Sequence, residues 1–121
     1  MLKNNIKLVV CCDGGGASGK TTGAKLISKK YKLNFLSSGL LYRYASYLLI
    51  KYTPKRKISF LKKKFSKIHY NDIESVNLQA ESINSLVSII AKQKKIRAIL
   101  KKYQIDFAKK YNKVCIEGRD I

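Results

Sequence analysis

DGGGASGKTT, residues 13–22, decides how the rest of the chain is read. The chain holds 7 glycines, and Gly14, Gly15, Gly16 and Gly19 all fall within this stretch. Just before it, Leu8-Val9-Val10-Cys11-Cys12 is an unbroken apolar run. It does not alternate, so both faces of the strand are expected to be covered, as in a parallel sheet flanked by helices. Just after it, Thr21 to Lys32 carries Ala24, Ile27 and Tyr31 on one helical face and Lys25, Lys29 and Lys32 on the other. Gly14-x4-Gly19-Lys20-Thr21 therefore fits a phosphate-loop pattern in its required strand–loop–helix setting. The chemistry accounts for each residue type. Glycines let backbone N–H groups turn inward around a phosphate without Cβ clashes. The helix N-terminus adds partial positive charge. Lys20 follows charge on the outer phosphates, and the Thr21 hydroxyl is placed to reach Mg²⁺. The competing reading is a glycine-rich turn that holds a lysine by chance.

With 121 residues the chain is at most one domain. Its formal net charge is +19, from 26 Lys+Arg against 7 Asp+Glu. That balance admits a polyanionic partner such as nucleic acid, nucleotide phosphates or an acidic membrane. It also fits a compositional drift towards Lys, Ile, Asn and Tyr, since the lysines are spread over every segment. Nucleic acid is not the expected partner, because Tyr31, Tyr103, Phe107 and Tyr111 fall on apolar helix faces rather than among the cations. Cys11, Cys12 and Cys115 sit in strand-like runs with no CxxC or Cys/His pair, so reduced thiols in a cytoplasmic protein are expected. No apolar stretch reaches membrane-spanning length, and the N-terminus runs straight into a strand pattern, so neither a membrane span nor a signal peptide is expected.

Further along, Asn34-Phe35-Leu36 reads as a second strand. Ser37-Ser38-Gly39 offers caps for a helix running to about Tyr52, which Pro54 ends. Ile58, Leu61, Phe65 and Ile68 keep helical spacing, and Asn71-Asp72 marks a turn. Ile83, Leu86, Val87 and Ile90 make one amphipathic helix. Ile96, Leu100, Tyr103, Phe107 and Tyr111 make a longer one. Val114-Cys115-Ile116 reads as a third strand, with Glu117-Gly118-Arg119-Asp120 leaving its C-terminal end. In a doubly wound fold the C-terminal ends of the strands gather at one crevice. Arginine is scarce, so Arg43 and Arg119, each just past a strand, are candidates for bidentate phosphate contacts. A solvated helix-face cation at Arg43, and a turn arginine paired with Asp120 at Arg119, are the competing readings.

With these pieces placed, the chain resembles bacterial cytidylate kinase over nearly its whole length. The resemblance rests on VVCCDGGGASGKTTGAKLISKKYKLNFLSSGLLYR (residues 9–43), SLVSIIAKQKKIRAILKKYQIDFA (residues 85–108) and VCIEGRDI (residues 114–121). The last matches the (D/E)GRD(I/M) signature of that family, which is far more specific than a phosphate loop. The resemblance implies an α/β fold, a P-loop NTPase-type parallel sheet flanked by helices, with about three strands present. It implies one nucleoside monophosphate kinase domain over 1–121, with the monophosphate-binding insert inside roughly 38–110. The implied reaction is ATP-dependent phosphorylation of CMP or dCMP, with Mg²⁺. Gly14, Gly15, Gly16, Ala17, Ser18, Gly19, Lys20, Thr21 and Thr22 would bind ATP, with Thr21 on the metal. Ser38, Tyr42, Arg43 and Arg119 would line the acceptor's phosphate and sugar, and Ser88, Arg97 and Asp120 would contact cytosine. Lys20, Arg43 and Arg119 would carry the catalytic charge. Full-length members are usually monomeric.

The chain departs from the family in several places. Ser37 stands where a carboxylate is usual, and Glu117 replaces the commoner Asp. The compact, lysine-rich segment between Arg43 and Ser88 is expected to be helical where the family has a small β-structure. The largest departure is length. Family members continue past GRD with two more strands and an arginine-bearing lid, so the chain reads as a C-terminally truncated portion with little or no turnover of its own. The first strand would then lie at an open sheet edge beside the third. Two other classes stay open: another P-loop kinase with a different small acceptor, and a basic nucleic-acid-binding module.

Overall fold

A computed structural model of the chain describes residues 8–13, 18–78 and 80–118, without the side chains of residues 12, 13, 18–22 and 24. The chain divides into two compact units, one made of Met1–Gly39 with Gln104–Ile121, the other of Leu40–Tyr103.

The first unit is built on three strands: β1 (Leu8–Asp13), β2 (Asn34–Ser37) and β3 (Lys113–Gly118). All pair in parallel in the order β1-β3-β2, with Asp13 opposite Gly118 and Ser37 opposite Glu117. β1 therefore holds the edge position expected of it, and Val9 on it is 43% exposed. The apolar run of β3 occupies the centre, so Val114, Cys115 and Ile116 are buried. Leu33 and Cys115 form a small cluster with Leu8, Val10 and Phe35 packed against it.

Helix α1 (Ser18–Tyr31) crosses from β1 to β2 and packs on β2 and β3. It begins earlier than the hydrophobic pattern indicates, so Ser18, Gly19 and Lys20 open its first turn. Its inward face also differs from expectation. Ile27 and Tyr31 are exposed, whereas Ser28 is buried. The helix is turned so that Ser28 takes the inward position, and Lys25 lies with its ammonium over the Phe35 ring of β2 at 5.9 Å. Lys32, at φ 55°, ends the helix in the left-handed region, and the Leu33 N–H closes back on the Ser28 carbonyl.

The regular elements described within residues 40–103 are all helices, in line with the helical insert expected there. Helix α2 (Ser38–Tyr52) follows β2 with no intervening loop. It is succeeded by α3 (Lys57–Phe65), α4 (Tyr70–Glu74), α5 (Glu81–Ile90) and α6 (Lys94–Lys110). Asn71 and Asp72 lie inside α4 rather than in a turn, because burial of Tyr70 and Ile73, three residues apart, outweighs the turn propensity of the polar pair. The core of the Leu40–Tyr103 unit draws on Leu41, Leu48, Leu61, Ile73, Ile90, Ile96 and Leu100, each at most 2% exposed. Full burial of such a side chain contributes about 1.5–3 kcal/mol. The Tyr103 hydroxyl donates to the Ile68 carbonyl at 2.9 Å, satisfying the polar end of a half-buried ring.

Candidate functional site

In a parallel sheet every strand points its C-terminal end the same way, so the segments leaving those ends start side by side. Here the three ends are Asp13, Ser37 and Gly118, aligned by register. Residues 14–17 leave β1 and lie outside the described residues. They lead into the first turn of α1, which contains no acidic residue, so its partial positive charge is not offset there. Lys20, Thr21 and Thr22 belong to that helix, with their side chains outside the description.

The second exit is Ser38. It is 3% exposed, and Gly118 of β3 lies directly against it. A Cβ placed on Gly118 would overlap the Ser38 hydroxyl and come within 2.7 Å of the Ser38 Cβ. Gly118 also sits at φ 153°, a conformation that L side chains rarely adopt. Two independent constraints thus demand glycine at this point of the EGRD run. Sequence reading treated Glu117 and Gly118 as residues beyond the strand, whereas both belong to β3, and Glu117 is buried. A glycine between a buried strand and a charged pair was the available signal. Arg119 and Asp120 follow at once and lie outside the described residues.

The other candidates belong to the Leu40–Tyr103 unit. Tyr42 is half-buried, and its carbonyl accepts from the Ser46 hydroxyl at 3.0 Å. Arg43 is half-buried on α2, and one guanidinium nitrogen donates to the Leu78 carbonyl at 3.5 Å. That long contact uses one of the five N–H donors of the group. Ser88, on α5, is exposed and turns its hydroxyl back onto the Ser85 carbonyl at 3.0 Å. A ligand contact from Ser88 would trade that weak local bond for one to the ligand. Arg97 is exposed on the first turn of α6, where its backbone N–H bonds to the Gln93 carbonyl. Ser38 and Gly118 are therefore brought into direct contact, while Ser88 and Arg97 stand on consecutive helices with solvent-facing side chains.

Among the described residues no group of three or more His, Cys, Asp or Glu side chains could hold a metal ion. No helix among the described residues is long and apolar enough to cross a membrane.

Comparison with known proteins bears on the same segments. The chain is 33% identical over 118 residues to a cytidylate kinase of Bartonella tribocorum, covering 93% of this chain and 53% of that protein. It is 28% identical to a cytidylate kinase of Listeria monocytogenes, covering 95% and 57%. It is 33% identical to a bifunctional pantoate ligase/cytidylate kinase of Prochlorococcus marinus, covering 93% and 25%. The chain thus spans about half the length of the single-function relatives it matches. The family model for cytidylate kinase matches residues 10–121, from β1 through the EGRD run. β2, β3, most of β1, the glycine-rich residues 14–19 and the glycine that seats Ser38 fall within that match, and the chain belongs to the cytidylate kinase family.

Proposed function

We propose that this chain supplies the triphosphate loop and the acceptor-binding residues of an ATP-dependent CMP or dCMP kinase. The observation that carries the reading is the sheet end where Asp13, Ser37 and Gly118 align. Residues 14, 38 and 119, the first residues of the GGGASGKTT, SGLLYR and RDI segments, follow directly on those strand ends in the chain, and Ser38 lies against Gly118.

Backbone amides of Gly14 to Gly19, with Ala17 and Ser18 between them, wrap the ATP phosphates, and Lys20 draws charge from the outer ones. Thr21 offers its hydroxyl to Mg²⁺, and Thr22 continues the amide-bearing turn. The metal, when bound, neutralises charge on the β- and γ-phosphate oxygens. Ser38, Tyr42, Arg43 and Arg119 hold the acceptor's phosphate and sugar. Arg43 and Arg119 also stabilise charge on the transferring group, as a planar guanidinium does well.

Asp120 accepts from the cytosine amino group, while Ser88 and Arg97 donate to the ring nitrogen and carbonyl. Uracil presents an acceptor where cytosine presents a donor, so it sets a carbonyl against the Asp120 carboxylate and leaves polar groups unsatisfied.

Thermal shift on the 121-residue chain tests this. CMP is expected to raise Tm more than UMP or AMP at equal concentration, since stabilisation follows ligand concentration over Kd. Arg97→Ala should erase the preference for CMP over UMP and leave the ATP-induced shift unchanged. Lys20→Ala should remove the ATP shift. Equal shifts from all three monophosphates would assign the chain to a different small acceptor.

A further inference from the structure

The strongly basic composition is not absorbed by a nucleotide site. No Asp or Glu occurs between residues 14 and 71. Within that acid-free run, the end of α2 and the body of α3 build an alternating ladder of rings and ammonium groups. Lys51 places its ammonium 5.5 Å from the centre of the Tyr47 ring and 5.4 Å from that of Tyr52. Lys64 lies 5.1 Å from Tyr52 and 5.7 Å from Phe60. The Tyr52 and Phe60 rings are themselves 5.6 Å apart. Lys51 also donates to the Tyr47 hydroxyl at 3.2 Å, a bond that favours its charged form. The ladder is rooted in the core, because Tyr47 stacks on buried Tyr44, whose ring meets Phe65 edge-on. Tyr52, at its outer end, is 47% exposed.

We propose that this ladder is a binding surface for single-stranded nucleic acid, separate from the nucleotide chemistry of the family. Phosphates meet Lys51, Lys64 and the cations of residues 55–67, while an unpaired base stacks at Tyr52. Unpaired strands are favoured over duplex because a duplex hides its base faces. An anionic membrane fits less well, because Leu61 and Phe65 of α3 are buried and not available for insertion. The inference departs from the expectation drawn from Tyr31, Tyr103, Phe107 and Tyr111, none of which belongs to the ladder.

Fluorescence anisotropy with fluorescein-labelled rU12 on the 121-residue chain tests it. Tyr52→Ala, which changes no charge, should weaken binding about tenfold, and Tyr52→Phe should restore most of it. Lys51→Gln/Lys64→Gln should weaken it more than Lys29→Gln/Lys109→Gln, which removes equal charge from exposed positions elsewhere. The ladder pair should also lower the slope of log affinity against log salt by about 1.4, at about 0.7 per lost phosphate contact on a single strand. Equal losses from the two charge pairs, or no effect of Tyr52→Ala, would reduce the binding to unspecific attraction and overturn the proposal. So would affinity for an rA·rU duplex equal to that for rU12, or preferential binding to phosphatidylserine vesicles.

Discussion

The sheet unit and the helical unit use their residues in opposite ways. In the sheet unit the buried apolar side chains among the described residues are Leu33, Leu36, Val114, Cys115 and Ile116, all on or beside β2 and β3. Its edge strand β1 and helix α1 leave Val9, Leu26, Ile27 and Tyr31 exposed. What it offers chemically is backbone geometry: aligned strand ends, a helix start and a glycine against a serine. The helical unit draws buried side chains from each of its five helices and offers side-chain chemistry on its surface instead. The difference teaches that the GxxxxGKT and EGRD motifs belong to the unit with the smaller set of buried side chains among the described residues.

The largest expected effect lies in the helical core. Leu100 is fully buried on α6 beside Ile96 and Ile99. Leu100→Ala should cost about 2–5 kcal/mol, as lost burial plus a residual cavity, read by urea unfolding followed by circular dichroism. Amide exchange should accelerate through residues 40–103 first. Were β3 amides to accelerate equally, the two regions would unfold as one and the contrast between them would be lost.

Gly118→Ala makes the matching change in the sheet unit. The unfavourable backbone region alone costs about 1–3 kcal/mol, and the overlap with Ser38 adds to it. Its exchange signature should be confined to β2, β3 and the start of α2. A fully stable Gly118→Ala protein would mean that Ser38 moves aside freely and that the strand end is not rigid. A smaller step back in the helical unit is Tyr103→Phe, which keeps the edge-on contact with Phe65 at 5.7 Å but removes the bond to Ile68. It should cost about 0.5–1.5 kcal/mol, and a variant as stable as the parent would show that solvent replaces that bond at no cost.

Much of this was legible in the sequence, for identifiable reasons. β3 was readable because a strand covered on both faces must be apolar throughout; β1 is apolar too, but the expectation that both its faces are covered fails, since Val9 and Cys11 on one face are exposed at the sheet edge. α6 was readable because Ile96, Leu100 and Tyr103 keep one face over several turns. The candidate site shows in the sequence as motifs, GxxxxGKT and EGRD, but not as geometry. Nothing in the letters says that Ser38 presses against Gly118, since that contact joins residues 80 apart in sequence. The ring–cation ladder was hidden for a similar reason: Lys64 and Phe60 meet Tyr52 only once α2 and α3 have turned about Thr53-Pro54.

The face of α1 was misread because hydrophobic periodicity ranks residues by apolarity, whereas the buried position on this helix is taken by a serine. Ser28 takes the inward position at 5% exposure, and Ile27 is displaced to the rim at 39%. The smallest expected effect follows from this. Ile27→Gln should change stability by no more than about 0.5 kcal/mol, as exposed positions usually do, and it should improve solubility by removing an apolar side chain beside the exposed Leu26 and Tyr31. A core isoleucine would instead lose several kilocalories on the same substitution. A loss above about 2 kcal/mol in thermal or urea unfolding would therefore restore the apolar face of α1 to the interior. The Ser28→Ala variant locates the sheet-facing side independently, because a buried serine replaced by the smaller, apolar alanine should be tolerated where a bulky leucine is not.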